Sequence, residues 1–141
     1  MKISTKGRYG LRILADLALH DDGSPRLIRE ISASQDISEK YAGRLIIELR
    51  RAGFLRSVRG AKGGYMLTRK PSEITLLEVI EVMEGETSIV DCVACPGKCP
   101  RSKSCGARGI WAGVNSAIRN SLARATLEDV VKGAEDAEYC I

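Results

Sequence analysis

Residues 35–68 read QDISEKYAGRLIIELRRAGFLRSVRGAKGGYMLT, and this stretch decides the fold. A helix is predicted over residues 39–52, because Ser38 is a good N-cap and Gly53 can end the helix in the left-handed conformation. Apolar side chains recur at a spacing of four along it and should face a core: Tyr41, Leu45 and Leu49. A short helix predicted over residues 27–33 precedes it. Two helices joined by so few residues are typical of a helix-turn-helix.

A hairpin is predicted directly after this pair. Residues 54–58 and 65–68 have strand composition, and they flank the turn Arg59-Gly60-Ala61-Lys62-Gly63-Gly64. Its three glycines would let the backbone approach another surface closely. A nucleotide-binding phosphate loop is excluded, since no Gly-Lys-Ser/Thr follows a strand here. A basic hairpin after a helix-turn-helix indicates a winged helix.

The rest of the chain is predicted to be helical except at its cysteines. A first helix should run from Thr5 to about residue 20, and a capping box at residues 75–78 should begin another that stops at Gly85. Residues 91–105 contain two Cys-Pro pairs and are polar, so neither a helix nor a strand is expected there. A long helix over residues 107–125 and a short last helix ending at Gly133 should follow.

The predicted fold class is mainly α with a small β-hairpin wing, a winged helix-turn-helix followed by a long C-terminal dimerisation helix. The sequence divides into five parts: a winged-helix DNA-binding domain (1–70), a linking helix and lead-in (71–91), a cysteine-rich cofactor loop (92–105), the dimerisation and last helices (106–133), and a flexible tail (134–141).

Positive charge is concentrated in the first half of the chain. Residues 1–70 contain 15 Lys and Arg against 7 Asp and Glu, a net +8, whereas residues 71–141 contain 7 against 11, a net −4. A basic half of this kind favours a polyanionic partner, and with the winged-helix pattern that partner is double-stranded DNA.

The candidate DNA contacts fall into three groups. Phosphate contacts, which position a protein without reading sequence, are expected from Lys2, Lys6, Arg8, Arg50 and Arg51. Base contacts in the major groove are expected from Ser38, Lys40 and Arg44, with Arg or Lys to guanine worth about 1–3 kcal/mol of discrimination. Arg59 suits a narrow minor groove, and Arg56 and Lys62 add charge to the wing. Tyr41 is predicted to face the core and is also a candidate DNA contact.

Four of the five cysteines, Cys92, Cys95, Cys99 and Cys105, follow the spacing C-x2-C-x3-C-x5-C. An iron–sulfur cluster, either 2Fe–2S or 4Fe–4S, suits thiolates crowded on one loop with Cys-Pro turns and surrounded by Lys and Arg. Zinc is an alternative, although zinc ribbons separate two Cys pairs by a dozen or more residues. A thiol redox site is the third possibility. Cys140 is expected to be a free thiol.

The helix over residues 107–125 carries a long apolar stripe and therefore needs a partner surface. The stripe contains Trp111, Val114, Ile118 and Leu122. The helix could pack back onto the first helix of its own chain or pair with its twin in a homodimer. We favour the homodimer, because helix-turn-helix proteins usually read two half-sites as a symmetric pair.

Several functional classes are disfavoured. The single histidine, His20, excludes a Ser–His–Asp set, and no paired carboxylates lie in a loop pattern, so the chain is not expected to be an enzyme. The absence of a signal-peptide h-region and of a transmembrane-length run predicts a cytoplasmic protein without a membrane partner.

Three motifs together resemble those of the Rrf-type winged-helix regulators: MKISTKGRYG at the start, ISEKY in the second helix of the pair and SVRGAKGGY in the wing. The cysteine loop followed by Trp111 resembles the branch that senses through an iron–sulfur cluster. The resemblance covers about residues 1–130. It implies a homodimeric repressor or activator on a palindromic operator, with a cluster held by Cys92, Cys99 and Cys105.

The sequence departs from that branch at two kinds of position. The family's fourth ligand is often a histidine or an acidic residue, and the corresponding positions here are Arg108 and Arg8. Cys95 is the obvious replacement and would make the site all-cysteine. The acidic residue found in the middle of the recognition helix is Gly43 here, so the operator preference should differ. Family members that respond to a metabolite or a protein partner, as in cysteine metabolism, and an iron–sulfur redox protein are the alternatives.

Overall fold

The computed structural model describes residues 1–138. Seven α-helices, one antiparallel hairpin and two 3-10 turns make up this part of the chain. In chain order they are α1 (Thr5–Leu19), α2 (Ile28–Gln35), α3 (Glu39–Arg51), β1 (Leu55–Val58), β2 (Gly64–Leu67), a 3-10 turn (Pro71–Glu73), α4 (Leu76–Glu84), α5 (Asp91–Ala94), a 3-10 turn (Pro96–Lys98), α6 (Gly106–Arg124) and α7 (Leu127–Glu138). The predicted fold class, mainly helical with a two-stranded wing, is confirmed.

The core lies between α1 and the helices that pack around it. Its fully buried apolar side chains come from five helices, strand β1 and the turn before α4: Ile13, Leu14, Ile31, Leu45, Ile46, Leu49, Leu55, Ile74, Val79 and Leu127. Aliphatic residues dominate this core, and aromatic residues make up only 4% of the whole sequence. The helix-turn-helix and the wing therefore rest on α1, which is buried along most of its length.

Both ends of α3 form as the sequence predicts. The Ser38 hydroxyl accepts a hydrogen bond from the Tyr41 backbone N–H at 3.1 Å. At the other end Gly53 has a φ of +85°, and the Phe54 N–H donates to the Leu49 carbonyl at 3.0 Å. This is the left-handed glycine termination of a helix.

The wing is tied to the segment before α2. Its strands pair in a register that joins Leu55 to Leu67 and Val58 to Gly64. Tyr65 also forms an isolated bridge with Arg26, with backbone hydrogen bonds of 2.9 and 3.0 Å. The segment between α1 and α2 thus acts as a one-residue third strand, which fixes the wing against the helix-turn-helix.

Replacing Gly64 with alanine should loosen the wing. Gly64 has a φ of +147°, and an added Cβ would lie 2.4 Å from the Arg26 carbonyl oxygen. The strained backbone alone costs on the order of 1–3 kcal/mol. Because the contact with Arg26 adds to this strain, we expect Gly64→Ala to lower the free energy of unfolding in urea by at least that amount. Gly97→Ala is the control, because its Cβ would meet nothing within 4 Å; equal stability of the two variants would contradict this account.

Two predictions about local structure are wrong. Residues 91–94 form a helical turn, α5, although no helix was expected in the cysteine-rich segment. The prolines follow Cys95 and Cys99, so they leave the preceding turn free, and Pro96 begins a 3-10 turn where its missing N–H is not needed. The last helix also continues through Gly133 to Glu138. Packing of Leu127 and Val130 on the core outweighs the low helix propensity of one exposed glycine.

The C-terminal helices divide their contacts. The Leu127 N–H donates to the Ile74 carbonyl at 2.8 Å, and the Leu76 N–H donates to the Ala125 carbonyl at 2.9 Å. These bonds clamp the α6–α7 junction to the start of α4. Helix α7 then packs on α1, whereas α6 packs along α4 and α5. Of the two C-terminal helices, α7 and not α6 therefore packs along α1.

Candidate nucleic-acid interface and cysteine segment

The first turns of α3 present polar side chains to solvent. Ser38, Lys40 and Arg44 are exposed, and together with Tyr41 they line a shallow depression. The structure therefore brings the three residues predicted to contact bases onto one exposed surface.

Tyr41 lies between the core and this depression. It is half-buried, and its ring meets the Tyr9 ring edge-on, with centroids 6.0 Å apart. The Arg12 guanidinium lies over the Tyr9 ring at 4.6 Å. The structure thus shows that Tyr41 packs against Tyr9. A contact of Tyr41 with DNA stays a prediction.

The wing tip carries exposed charge on a turn that its own glycines shape. Arg59 and Lys62 are exposed, and Gly60 has a φ of +110°. A Cβ on Gly63 would lie 2.2 Å from the Val58 carbonyl oxygen. Gly63, like Gly64, is therefore required by close approaches within the protein, which differs from the external approach that the sequence suggested.

The predicted phosphate contacts differ in how free they are. Lys6 pairs with Glu48 at 2.7 Å, so its charge is partly compensated. The Arg50 guanidinium donates to the Ser57 hydroxyl at 3.4 Å and bridges α3 to the wing. The remaining predicted phosphate contacts have exposed side chains: Lys2, Arg8 and Arg51. Arg56, predicted to add charge to the wing, is exposed as well. Arg56 also approaches the Met66 sulfur at 3.4 Å.

A buried carboxylate connects the wing to the helix-turn-helix, and sequence reasoning missed it. Asp16 in α1 is fully buried. It accepts hydrogen bonds from Arg26 at 2.6 Å, from the Ser34 hydroxyl at 2.5 Å and from the Gln35 amide at 3.2 Å. Arg26 is the residue that bridges to the wing, and Gln35 ends α2. A lone acid within the apolar run 13–17 was the available signal.

A second carboxylate joins α4 to the start of α1. Glu84 accepts hydrogen bonds from the Ser4 N–H at 3.0 Å, the Ser4 hydroxyl at 2.6 Å and the Gly7 N–H at 3.0 Å. A side chain at Gly7 would fill the space of this carboxylate, 2.3 Å away. The helix leading to the cysteines thus directly caps the helix that bears Arg8.

The α4 cap predicts a small acid-dependent loss of stability. The backbone N–H of Thr75, then its hydroxyl and Arg69, hold the pKa of Glu78 below its usual 4.5, against the opposing effect of burial. A lowered pKa stabilises the fold above the unfolded-state value, and this stabilisation is lost as pH falls through the folded-state value. Glu78→Gln should cost a few tenths of a kcal/mol near pH 7 and progressively less as the pH falls below 4.5. Denaturant melts of both proteins across this range would measure it; a pH-independent difference would contradict it.

The cysteines lie on a chain of consecutive turns. The Cys95 N–H donates to the Asp91 carbonyl at 2.7 Å, and the Cys95 carbonyl accepts from the Lys98 N–H at 3.0 Å. Cys92 and Cys99 are half-buried, while Cys95 and Cys105 are exposed, and all four are free thiols. Cys105 is the N-cap of α6. Within residues 1–138, no three side chains of the metal-binding types are gathered into one group. Cys140 lies outside the described residues.

The donor chemistry of this segment nevertheless fits an iron–sulfur cluster. Four thiols within fourteen residues supply the soft ligands that iron–sulfur clusters require. Positive charge near the segment, from Lys98, Arg101 and Lys103, favours an anionic group.

Three polar side chains on the inner face of α6 bind α4 and the segment that leads into the cysteines. The Arg108 guanidinium donates to the Cys92 carbonyl at 3.2 Å, and the Asn115 side chain accepts from the Ile89 N–H at 3.1 Å. Arg119 pairs with Glu81 of α4. Arg108 stands at a position where the cluster-sensing branch often has a ligand. Here its side chain binds the backbone of the cysteine segment.

The outer face of α6 has no partner within the described chain. Ile110, Trp111 and Val114 are 65%, 43% and 42% exposed, while Ile118 and Leu122 are half-buried. Large apolar side chains exposed in a row mark an interaction surface. The predicted dimer stripe is thus apolar and accessible, most of all in its first two turns. In the described part of the chain, no helix is both long and apolar enough to span a bilayer.

Comparison with known proteins shows the family. Residues 3–133 match the family model described as Rrf2, an iron-dependent transcriptional regulator. The protein rrf2 of Nitratidesulfovibrio vulgaris is 38% identical over 99% of this chain and 91% of its own. The regulator IscR of Xenorhabdus nematophila is 35% identical over 96% and 82%.

A solved structure agrees with the sequence comparison. CymR, the global cysteine regulator of Bacillus subtilis, superposes with a TM-score of 0.79 at 37% identity, and the match covers 94% of this chain and 97% of that one. Members of such a family are regulators, not enzymes, which confirms the prediction that the chain is not an enzyme. The chain belongs to the Rrf2 family of DNA-binding winged-helix transcriptional regulators.

Proposed function

We propose that the chain acts as a homodimer that binds a palindromic operator in double-stranded DNA, and that an iron–sulfur cluster on the cysteine segment controls this binding. One observation carries the proposal: a winged helix with exposed basic side chains on α3 is joined, through α4, to four free thiols beside α6, whose outer face has no partner among residues 1–138. Cytoplasmic location accords with these partners.

The DNA-binding part has separate roles for its residues. Lys40 and Arg44 are exposed in the first turns of α3 and would read bases, with Ser38 beside them, in the major groove. Arg59 at the wing tip would enter the minor groove. Lys2, Arg8 and Arg51 would contact phosphates. Lys6 would contribute only by exchanging Glu48 for a phosphate.

Dimerisation would use the outer face of α6. Two copies of the stripe around Trp111 and Val114 would bury each other's exposed apolar surface, and a two-fold axis would present two winged helices to two half-sites. The polar anchors on the inner face keep α6 on α4 while it does so. The spacing of the wings would then depend on how α6 and α4 are held.

The cluster would be held by Cys92, Cys99 and Cys105. Cys95 would be the fourth ligand, because the positions that often supply it in the family are occupied here by Arg8 and Arg108. When bound, such a cluster supplies a group whose charge and ligation change with redox state, oxygen, nitric oxide or iron supply. Gathering the cysteines would pull on Cys92 and hence on Arg108 and α6. Coupling requires that the ligated and unligated segments favour different arrangements of the dimer.

A second candidate is supported by the likeness to CymR. In this second function, the winged helix of this chain would respond to a metabolite or a protein partner, and its cysteines would hold zinc or act as redox thiols. The exposed Cys95 and Cys105 are accessible to such chemistry. A third candidate function is that of an iron–sulfur redox protein. The affinity of a DNA-binding regulator for duplex DNA should fall steeply as the salt concentration rises, whereas a redox protein should show no such dependence.

The absorption spectrum and the iron and sulfide content of anaerobically purified protein separate these functions. The proposal predicts coloured protein with iron and acid-labile sulfide, both lost in the Cys92→Ala, Cys99→Ala and Cys105→Ala variants. Ser102→Ala is the matched control within the same segment. Colourless, iron-free protein that still binds its operator would favour the second candidate.

A further inference from the structure

One large aliphatic side chain of α3 points away from the core. Ile47 is 42% exposed, whereas Leu45 and Leu49 are at most 2% exposed. At about 100° per residue, Ile47 is displaced by about 160° around the helix from each of these two. It therefore occupies the middle of the outward face of α3.

The surroundings of Ile47 on this face are basic. Helical spacing places Lys40 and Arg51 within about 40° of it and Arg44 within about 60°, and all three side chains are exposed. Like charges oppose the docking of a second copy of this face, whereas they complement a polyanion. An isoleucine contributes nothing to phosphate binding, so a contact that it makes with that polyanion is with an apolar group.

Gly43 leaves a gap one turn before Ile47. Its Cβ would meet only the Ile28 side chain, at 3.5 Å, which is an ordinary contact. The fold therefore does not require a glycine there, and alanine would favour the helix. The missing side chain lets another surface approach the helix axis next to Ile47.

We infer that Ile47 reads the 5-methyl group of a thymine in the major groove, and that Gly43 gives that base edge room to approach. The thymine methyl is the apolar feature that the major groove displays, and aliphatic side chains recognise it. This inference rests on the proposed function and adds a specificity-determining residue to Ser38, Lys40 and Arg44.

The test begins with duplexes that the full-length wild-type protein selects from a random library. Each thymine is then replaced in turn by deoxyuridine, which removes only the methyl group. At one thymine per half-site the replacement should weaken wild-type binding about fourfold, the amount expected for one buried methyl. Ile47→Ala should bind the two duplexes equally. Leu19→Ala, which removes an aliphatic side chain of 41% exposure elsewhere, should keep the full discrimination.

A second variant guards against a purely structural effect. Gly43→Ala should melt at a higher temperature and yet bind the thymine duplex more weakly than wild type does. If wild-type protein ignores every deoxyuridine, or if Ile47→Ala keeps the discrimination, the inference is overturned while operator binding stands. If no duplex is selected at all, the proposed function fails together with it.

Discussion

Trp111→Glu combined with Val114→Glu should convert the protein to a monomer and weaken operator binding by about 10²–10⁴-fold. Both side chains are more than 40% exposed on the outer face of α6, where we propose that two copies meet. Charges placed there would face each other across the two-fold axis without solvent. Losing the second winged helix removes the gain from two linked half-sites, which has this magnitude.

The measurement pairs sedimentation equilibrium with the anisotropy of labelled operator DNA. Leu19→Glu is the matched control, since it puts a carboxylate on an exposed aliphatic position of α1 and should leave both dimer and affinity unchanged. Circular dichroism of the double variant should remain native, because neither side chain belongs to the core. A double variant that sediments as a dimer would refute the proposed interface.

Asp16→Ala should lower the free energy of unfolding by about 3–5 kcal/mol, which is a larger loss than we expect for Gly64→Ala or Glu78→Gln. Asp16 is fully buried and Arg26 is largely buried, so removing the carboxylate leaves the guanidinium without its partner at 2.6 Å. The Ser34 hydroxyl and the Gln35 amide lose their acceptor as well. The wing and the end of α2 would then lose their common anchor.

Urea unfolding and operator affinity together test this prediction. Asp21→Ala removes an exposed aspartate nearby and should change either quantity little. Arg26→Ala combined with Asp16→Ala should cost less than the two single losses added, because each residue's penalty depends on the other. If Asp16→Ala is as stable as Asp21→Ala, the buried network does not have the role assigned to it.

Local sequence signals predicted the elements whose ends are set locally. Ser38 and Gly53 bound α3 as expected, and the Thr75–Glu78 capping box begins α4. These positions act through backbone hydrogen bonds to neighbours within a few residues, so their effect can be read without knowing the fold.

Features made by distant residues could not be predicted in this way. The bridge between Arg26 and Tyr65 joins segments 39 positions apart, and nothing local marks it. Helix α7 passes Gly133 because Leu127 and Val130 pack on a core that the sequence does not display. Sequence reasoning predicted an apolar stripe on α6, but its polar anchors, Arg108, Asn115 and Arg119, depend on which face meets α4.

Spacing identifies Cys92, Cys95, Cys99 and Cys105 as candidate ligands, and the structure places them on successive turns without gathering them. Gathering them would require an incoming group to replace thiol–water contacts with bonds to metal, since binding and local folding are coupled in such sites.

Operator affinity measured with and without the cluster tests the central claim most directly. Anaerobically purified wild-type protein, the same protein after iron removal, and the Cys92→Ala/Cys99→Ala/Cys105→Ala variant would be titrated against one operator duplex. We predict that the first differs from the other two by about 5–150-fold, the usual range of allosteric coupling, and that the last two agree. Equal affinities for all three would contradict control of this winged helix by an iron–sulfur cluster.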